Sequence, residues 1–516
     1  MRGRNDDKRG KPRRMNAEGS EGSAAAERRW SGKMESKCSR IIFLGVALIL
    51  FLLSGSCAVN PVSGGPELML LSESDEIQLG KQTDAEVREQ YGVYEDQKLN
   101  AYLNDMCQRL AGVSHRPNLP YKFEMVDASV VNAFAVPGGY VYFTRGILAN
   151  LNSEAELAGV MGHELGHITT RHSAQQYSRA QLAQFGVVVG GLFLGDLVSG
   201  VAQLGVGMLF LSFSRDNERQ ADELGVEYAS RAGYDGKELA GFFETLERMN
   251  PGSDRSGLPG WFSTHPSPEG RVVAVRKEAR EWQQKLGIRD PKVNREVYLR
   301  HIDGLVYGDD PRQGYVEEGM FYHPDMKFQF PLPAGWKVNN TLSQVQMVSE
   351  KKDAGIIFSI GTARSPKEAA AKFTESNRAT VLASDSITVS GYPAHRLVCD
   401  VQGQSGVIRV VSCFIQKDGS TCFFYGLSSP ALFDKHLSTF ERTMRGFEEL
   451  SDPKKINVKP DCIRLRTLKS AGTVESALRS AGVPKEDLDD IALLNGLELK
   501  ESLPANSLIK VVEKGR

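Results

Sequence analysis

Residues 153–170 read SEAELAGVMGHELGHITT and carry the strongest structural signal in the chain. Ser153 followed three residues later by Glu156 is a capping-box pattern, so a helix is predicted to begin here. The buried stripe of this helix is predicted from apolar residues at helical spacing: Leu157, Val160, Met161 and Leu165. His163 and His167 are four residues apart, and they should therefore project from one face of the helix.

Two histidines on one helix face can bind the same metal ion, and Glu164 beside them can activate a water at that metal. The pattern is His-Glu-x-x-His, which also arises by chance as two surface histidines beside a solvated glutamate. A catalytic zinc site needs a third protein ligand, commonly a carboxylate, and that ligand should come from another helix. The context of the motif therefore decides between the two readings.

Residues 214–222, SRDNERQAD, begin a second predicted helix that can supply this carboxylate. The apolar side of that helix consists of Ala221, Leu224, Gly225 and Tyr228. Glu218 and Asp222 lie one turn apart on one face. Glu218 is predicted to bind the metal, and Asp222 to accept the remaining N–H of a ligand histidine. The alternative is an ordinary solvated acidic face.

Four sequence blocks carry a family resemblance, in the family's own order. They are NAFAVPGGYVYFTRGIL at 132–148, VMGHELGHITTRHS at 160–173, SRDNERQAD at 214–222 and THPSPEGR at 264–271. Together they resemble the HtpX- and BepA-type family of zinc metalloendopeptidases, which also includes the CAAX prenyl endoproteases. The resemblance implies a zincin-type fold and one Zn²⁺ per chain on His163, His167 and Glu218. It also implies Glu164 as the catalytic base and Asp222 as the residue that accepts a hydrogen bond from a ligand histidine.

The resemblance implies roles for two further residues. His265 resembles the family histidine that can occupy the open zinc position and keep the enzyme latent. Arg271 is a candidate for stabilising the tetrahedral oxyanion, with a structural ion pair as its alternative role. His172 lies five residues after His167, about 500° round a continuous helix, so it should not share the metal and is predicted to be structural.

Residues 130–143 read VVNAFAVPGGYVYF and predict a strand hairpin around Pro137-Gly138-Gly139. Its first arm includes Asn132, Ala133, Phe134 and Ala135. This arm would offer an edge to which an extended substrate adds as a strand. An ordinary core strand is the alternative reading of the same residues. The predicted reaction is hydrolysis of peptide bonds in protein or peptide substrates, without a covalent intermediate.

The apolar run of residues 41–53 is too short for a membrane span of about 20 residues and is typical of a signal peptide. It leads into Leu53-Ser54-Gly55-Ser56-Cys57, which resembles a bacterial lipobox. We therefore expect residues 1–57 to be a disordered leader plus signal peptide and Cys57 to be lipidated, with ordinary cleavage or an uncleaved anchor as alternatives. Ala58 after the cysteine favours an outer-membrane lipoprotein on the periplasmic side of the envelope.

The predicted fold class is α+β and multidomain. A mainly helical metallopeptidase domain with a small β-hairpin is expected at 58–286, followed by a linker at 287–319 and an α+β domain at 320–450. Residues 455–514 resemble the LysM module, a small βααβ unit, which suggests peptidoglycan as a partner. Residues 185–213 are rich in glycine and apolar residues and predict a helical hairpin over the active site, with a membrane span as the alternative reading.

Composition narrows the possible partners. The 63 basic and 64 acidic residues nearly balance, which argues against nucleic-acid binding.

Cys399, Cys413 and Cys422 fall in successive strand-like runs and predict either a disulfide or buried free thiols. The resemblance implies unassembled or misfolded envelope proteins as substrates, with outer-membrane assembly components as further partners. The rival class is a non-catalytic scaffold or chaperone whose zinc site is held shut by His265.

Overall fold

The computed structural model describes residues 57–178, 212–249, 260–341, 343–403 and 406–515. The predicted signal peptide and most of the predicted hairpin at 185–213 lie outside these residues. Strands β1 (Cys57–Val59) and β2 (Pro66–Leu68) pair antiparallel within a small compact unit of their own, where Cys57 lies opposite Leu68. Among the described residues, no helix combines the length and apolar character needed for a membrane span.

The predicted peptidase region consists of helices around one small sheet. Its elements are α1 (Glu73–Tyr91), α2 (Gln97–Gly112), β3 (Lys122–Val126), β4 (Ala133–Val136), β5 (Tyr140–Thr144), α3 (Arg145–Asn150), α4 (Glu154–Thr169), α5 (Arg215–Arg231), α6 (Glu238–Met249), α7 (Gly260–Thr264) and α8 (Arg271–Leu286). The sheet order is β3-β5-β4, with β3 and β5 parallel and β4 antiparallel to β5. Helix α4 lies at the centre, since all its residues are buried.

The start of α4 confirms the predicted cap with one change in detail. The Ser153 hydroxyl accepts a hydrogen bond from the Glu156 N–H at 3.0 Å, as a capping residue should. The Glu156 carboxylate accepts instead from the N–H of Asn152, at 2.6 Å. Burial raises the pKa of Glu156 to about 7. A buried carboxyl group therefore lies at the first turn of the central helix.

Helices α4 and α5 pack unusually closely because glycines face each other. A Cβ atom on Gly162 would lie 2.8 Å from the carbonyl oxygen of Gly225, and one on Gly225 would lie 3.0 Å from the amide nitrogen of His163. A Cβ on Gly166 would lie 3.0 Å from the Cα of Ala221. The close approach brings the acidic face of α5 to the two histidines of α4.

Residues 287–319, expected to be a connector, are partly structured. They contain helix α9 (Arg295–His301), in which Tyr298 and Leu299 are fully buried. The Tyr298 hydroxyl donates to the carbonyl of Leu148 at 2.6 Å. The scattered charges and prolines concealed this helix because it is only seven residues long and is stabilised by packing on the peptidase core.

The α+β region has a large antiparallel sheet covered by helices. Its elements are β6 (Tyr315–Glu317), β7 (Met320–His323), β8 (Phe328–Pro331), β9 (Lys337–Asn340), β10 (Gln344–Val348), β11 (Ala354–Gly361), α10 (Pro366–Ser376), β12 (Thr380–Val389), β13 (Tyr392–Gly403), β14 (Gly406–Lys417), β15 (Ser420–Ser428), α11 (Pro430–Arg445), β16 (Glu448–Glu449) and α12 (Pro453–Ile456). One sheet has the order β12-β13-β14-β15-β11-β10-β9 and another β16-β8-β7-β6. Its core is separate from that of the peptidase region.

The cysteines of this sheet are free thiols, the second of the two predicted outcomes. Cys413 and Cys422 lie in the core that includes Phe424, whereas Cys399 packs with Leu397 and Phe414 in another cluster. Cys413 pairs with Phe424 across the sheet, and Cys422 pairs with Ile415. Cys399 therefore lies on the opposite face of the sheet from Cys413 and Cys422, and Cys413 and Cys422 are not paired with each other across neighbouring strands.

The C-terminal segment is a small two-helix unit that packs on the peptidase region. Its elements are β17 (Cys462–Thr467), β18 (Gly472–Thr473), α13 (Val474–Ser480), α14 (Leu488–Leu494), β19 (Ser502–Leu503) and β20 (Leu508–Glu513), with β17 paired to β20 and β18 to β19. The fully buried Lys510 donates to the carbonyls of Ala149 and Leu151, at 2.7 and 2.9 Å. Burial lowers its pKa. The described chain thus mixes helices with several separate sheets, which confirms the predicted α+β class.

Candidate metal centre

The two histidines of the motif converge as helical spacing predicts. His163 and His167 lie on α4, and their Nε2 atoms are 3.1 Å apart. Both side chains are essentially inaccessible to solvent. Helix α5 begins after Ser214, whose hydroxyl accepts from the Asn217 N–H, and it carries Glu218 to the same point. The Glu218 carboxylate oxygens lie 3.6 Å from Nε2 of His163 and 3.4 Å from Nε2 of His167.

His265 supplies a fourth potential ligand atom. Its Nδ1 lies 3.3 Å from Nε2 of His163 and 3.1 Å from Oε1 of Glu218. The ring stacks on Trp261, which is fully buried in α7, with centroids 4.4 Å apart. His265 follows α7 directly, so this short helix aims the imidazole into the cluster. His163, His167, Glu218 and His265 together form a buried group whose ligand atoms lie within 4.8 Å of one another.

These distances suit a divalent metal ion bound by imidazole and carboxylate groups. Zinc binds imidazole nitrogen and carboxylate oxygen at about 2.0–2.1 Å, so adjacent ligand atoms in a tetrahedron are about 3.3 Å apart. Five of the separations run from 3.1 to 3.6 Å, and the group as a whole spans up to 4.8 Å, which is wider than an ideal tetrahedron. Two imidazole lone pairs that face each other at such a distance repel unless a cation or proton lies between them. The residues present therefore fit a divalent metal in both chemistry and spacing.

Glu164 lies beside the cluster with its carboxylate deeply buried. It is 0% exposed, and neither carboxylate oxygen has a hydrogen-bond partner in the described part of the chain. The imidazole Nε2 of His265 lies 3.6 Å from its Oε1. Burial raises the pKa of Glu164, and the attraction to His265 and His163 only partly opposes this shift. The group is therefore primed to accept a proton.

The buried charges shape the other pKa values of the cluster. Burial alone would raise the pKa of Glu218, but His265 and the hydrogen bond with His167 hold it well below its usual range. Burial lowers the pKa of His167 well below its ordinary value. Burial opposes protonation of His265, but Glu218 and Glu164 outweigh it and raise the pKa of that imidazole. Glu218 is therefore ionised and His167 neutral, which are the forms that bind metal.

Asp222 occupies the position predicted behind a ligand histidine. Its Oδ1 lies 2.9 Å from Nδ1 of His163. Arg271, at the start of α8, donates to Asp222 through Nε at 2.8 Å and Nη2 at 2.7 Å. Nη2 also lies 3.3 Å from Oε2 of Glu218. Arg271 therefore forms the ion pair that was the alternative to an oxyanion role, and only its Nη1 lacks a hydrogen-bond partner among the described residues.

The predicted substrate arm forms the edge strand β4. Ala133 and Phe134 are buried and Ala135 is partly buried, while Asn132 lies just before the strand. Their sheet hydrogen bonds go to β5 on one side only. The amide of Trp261 donates to the carbonyl of Val131 at 2.9 Å, so α7 covers the chain immediately before this edge. The same helix thus contacts both the strand segment and the metal cluster.

His172 is closer to the site than its sequence position predicts. Its Nδ1 lies 3.0 Å from Nδ1 of His167, on the side of that imidazole away from the cluster. His172 is not among the four residues of the buried ligand group. Helix α4 ends at Thr169 and Arg171 has a φ of 61°, so the angle of a continuous helix does not apply. No local sequence pattern signals this return of the chain.

Comparison with known proteins agrees with the geometry. Residues 97–279 match the model of peptidase family M48. The chain is 32% identical over 206 residues to a putative beta-barrel assembly-enhancing protease of Vibrio cholerae, covering 38% of this chain and 42% of that protein. It is 30% identical over 223 residues to the beta-barrel assembly-enhancing protease of Escherichia coli K12, covering 41% and 45%.

A eukaryotic relative is covered more fully. The chain is 30% identical over 235 residues to the mitochondrial metalloendopeptidase OMA1 of Schizosaccharomyces pombe, covering 44% of this chain and 67% of that protein. The match spans less than half the length of the two bacterial relatives. All of the residues in the metal cluster lie within the region that matches the family model. The chain therefore belongs to peptidase family M48.

Proposed function

We propose that the protein is a zinc-dependent endopeptidase, with one zinc ion held by His163, His167 and Glu218. The observation that carries this proposal is the group of buried ligand atoms within 4.8 Å of one another, beside which the Glu164 carboxylate has no hydrogen-bond partner among the described residues. The ligand set of two imidazoles and one carboxylate is typical of catalytic zinc. A solvated acidic face, the alternative for α5, does not account for Glu218 and Asp222 being buried.

A bound zinc ion supplies polarisation of the scissile carbonyl and acidification of the attacking water. Glu164 accepts the proton of that water and delivers it to the leaving amine, so no covalent intermediate forms. Its raised pKa suits a group that must hold a proton between these two steps. Asp222 orients His163, and Arg271 balances the charge of Asp222 and Glu218. The free Nη1 of Arg271 is the donor left for an oxyanion.

The substrate is proposed to bind along β4. Asn132, Ala133, Phe134 and Ala135 would pair through their backbone with an extended peptide, which gives broad side-chain tolerance. The names of the relatives support envelope or membrane proteins as substrates, because they refer to beta-barrel assembly and to a mitochondrial metalloendopeptidase. We therefore propose misfolded or unassembled envelope proteins as the substrate class and outer-membrane assembly components as partners.

His265 is proposed to keep the site latent. Its Nδ1 takes the place in the cluster that a substrate carbonyl or water must occupy, and the surrounding residues are fully buried. Movement of α7 would withdraw His265 from the cluster and, at the same time, expose the segment that precedes β4. The closed arrangement also favours the second candidate, a scaffold or chaperone that does not cleave, in which His265 stays in place.

The roles of the remaining regions are proposed from sequence pattern and resemblance. We propose a peptidase domain at 58–286, a linker at 287–319, an α+β domain at 320–450 and a LysM-like module at 455–514 with peptidoglycan as its partner. Residues 1–57 are proposed as leader and signal peptide. Lipidation of Cys57 would anchor the protein to the outer membrane on its periplasmic side.

The proposal is tested by zinc content and casein cleavage of the purified protein and two variants. We expect about one zinc per chain, loss of cleavage with retained zinc in Glu164→Gln, and faster cleavage in His265→Ala. Cleavage that survives in Glu164→Gln would show that another group is the base. Zinc binding without cleavage in all three proteins, together with full biological activity of Glu164→Gln, would establish the scaffold instead.

A further inference from the structure

A series of hydrogen-bonded side chains leads away from the second candidate metal-binding histidine. Nδ1 of His167 lies 3.0 Å from Nδ1 of His172, and Nε2 of His172 lies 3.1 Å from Oε1 of Gln220. His172 is 1% exposed, and Gln220 lies on α5 between Glu218 and Asp222. The contacts therefore join the end of the motif helix to the helix that supplies the carboxylate.

The direction of these hydrogen bonds follows from metal binding. An imidazole that binds a metal through Nε2 carries its proton on Nδ1, so His167 must donate from that atom. Nδ1 of His172 must then be the acceptor, which places the proton of His172 on Nε2. The amide oxygen of Gln220 accepts that proton. Both hydrogen bonds of His172 described above are satisfied in this orientation, which presents the lone pair of His167 Nε2 to the metal.

The turn that returns His172 to the site is held by separate interactions. Arg171 adopts a left-handed conformation, with φ at 61°, that a bulky residue rarely takes. Its guanidinium donates to the carboxylate of Glu76 and to the carbonyl of Leu71. Arg116 also donates to Glu76, at 3.1 Å. The surrounding structure therefore fixes a strained turn whose consequence is the contact between His172 and His167.

The two candidate ligand histidines differ in the charge of the side chain that accepts their Nδ1 hydrogen bond. His163 is supported by the carboxylate of Asp222, whereas His167 is supported by the neutral imidazole of His172. With a divalent ion, the charges of Glu164, Glu218, Asp222 and Arg271 sum to zero with that of the metal. A carboxylate in place of His172 would add an unbalanced negative charge to a buried site, which is costly. A neutral acceptor orients the ligand without that cost.

We infer that His172, oriented by Gln220, is the positioning residue for the metal ligand His167. The inference rests on the proposed function, because it assumes a metal at the cluster. His172 does not touch the metal or the substrate, and it acts by fixing the tautomer and ring orientation of His167. Loss of such a support costs about ten- to a hundredfold in metal affinity.

The test compares the zinc affinity of the full chain with that of three variants by competition with a chromophoric chelator. The amide oxygen of Asn falls close to the position of Nδ1 in histidine, whereas the amide of Gln reaches the position of Nε2. We expect zinc affinity to fall about ten- to a hundredfold in His172→Ala and in His172→Gln, and to recover largely in His172→Asn. His115→Ala serves as the control, since His115 contacts Tyr228 and not the cluster.

Melting temperatures of the metal-free proteins separate orientation from packing. A packing role alone would lower the melting temperature of the Ala variant while the affinity of the folded protein stayed unchanged, and it would not distinguish Asn from Gln. Either result would overturn the inference. Wild-type protein that binds no zinc would overturn the proposed function itself. Tight wild-type binding with equal affinity in His172→Ala would overturn only the role of His172.

Discussion

The close contact between α4 and α5 can be tested at a single glycine. A Cβ atom at Gly162 would lie 2.8 Å from the carbonyl oxygen and 3.0 Å from the Cα of Gly225. Both are backbone atoms, so no side chain can rotate to make room. The shortest contact is about 0.6 Å below an ordinary van der Waals distance. Gly162→Ala should therefore push the two helices apart by roughly half an ångström.

The displacement has a structural and a functional cost. Overpacking of a tight core costs about 1–3 kcal/mol, and the better helix propensity of alanine offsets about 1 kcal/mol of it. We expect a net loss of about 2 kcal/mol in the free energy of unfolding, because backbone atoms take the contact. Glu218 moves with α5, and metal–ligand distances tolerate only about 0.2 Å. Zinc affinity should therefore fall at least tenfold, by analogy with loss of a supporting contact.

Gly241→Ala is the matched control. Gly241 lies within α6, and a Cβ there would meet no atom within 4 Å. This variant should gain up to about 1 kcal/mol in stability and keep its zinc affinity. Thermal melting and chelator competition measure both quantities. Unchanged melting and zinc affinity in Gly162→Ala would refute the idea that close helix packing positions Glu218.

Two further predictions concern regions away from the metal. Lys510→Met removes the donor to the carbonyls of Ala149 and Leu151. We expect the free energy of unfolding to fall by about 2 kcal/mol, because the loss of a partner for two buried acceptors outweighs the relief from burying an amine. A urea titration that shows stability equal to that of the wild type would contradict this prediction. Burial lowers the pKa of His323 to about 4. The unfolded chain therefore binds a proton below pH 6.5 that the folded chain does not bind until about pH 4, so this histidine's contribution to stability is complete above pH 6.5 and is lost as the pH falls. Between these limits the wild type should lose about 3 kcal/mol more of its free energy of unfolding than His323→Asn, which keeps an acceptor near Nδ1 for the Met326 amide. Parallel pH profiles of unfolding in the two proteins, followed by tryptophan fluorescence, would exclude this role of His323.

Local patterns predicted the elements that carry the chemistry. His163, Glu164 and His167 follow from the four-residue spacing on a capped helix, and Glu218 with Asp222 from one face of another. The strands and helices of the α+β region were also visible, because alternation and helical periodicity are strong in segments such as α10 and α11. These features depend on neighbours close in sequence, which a single sequence records.

Features that depend on tertiary contacts were harder to predict. The sequence leaves Arg271 between two roles, and the structure shows it donating two hydrogen bonds to Asp222 and one to Glu218. The turn at Arg171, which has a φ of 61°, interrupts the helix and brings His172 back towards His167. Strand alternation would place Lys510 opposite Ile509 and Val511, facing solvent, whereas that face packs on the peptidase region. In each case the partner lies far away in sequence, and no local rule supplies it.

The zinc K-edge X-ray absorption spectrum of the purified wild-type protein tests the metal centre most directly. The geometry predicts four nitrogen or oxygen ligands at about 2.0–2.1 Å. Multiple scattering should correspond to three imidazoles, from His163, His167 and His265, with Glu218 as the fourth ligand. A protein that binds no zinc, a shell with sulfur at about 2.3 Å, or a six-oxygen shell would contradict the account.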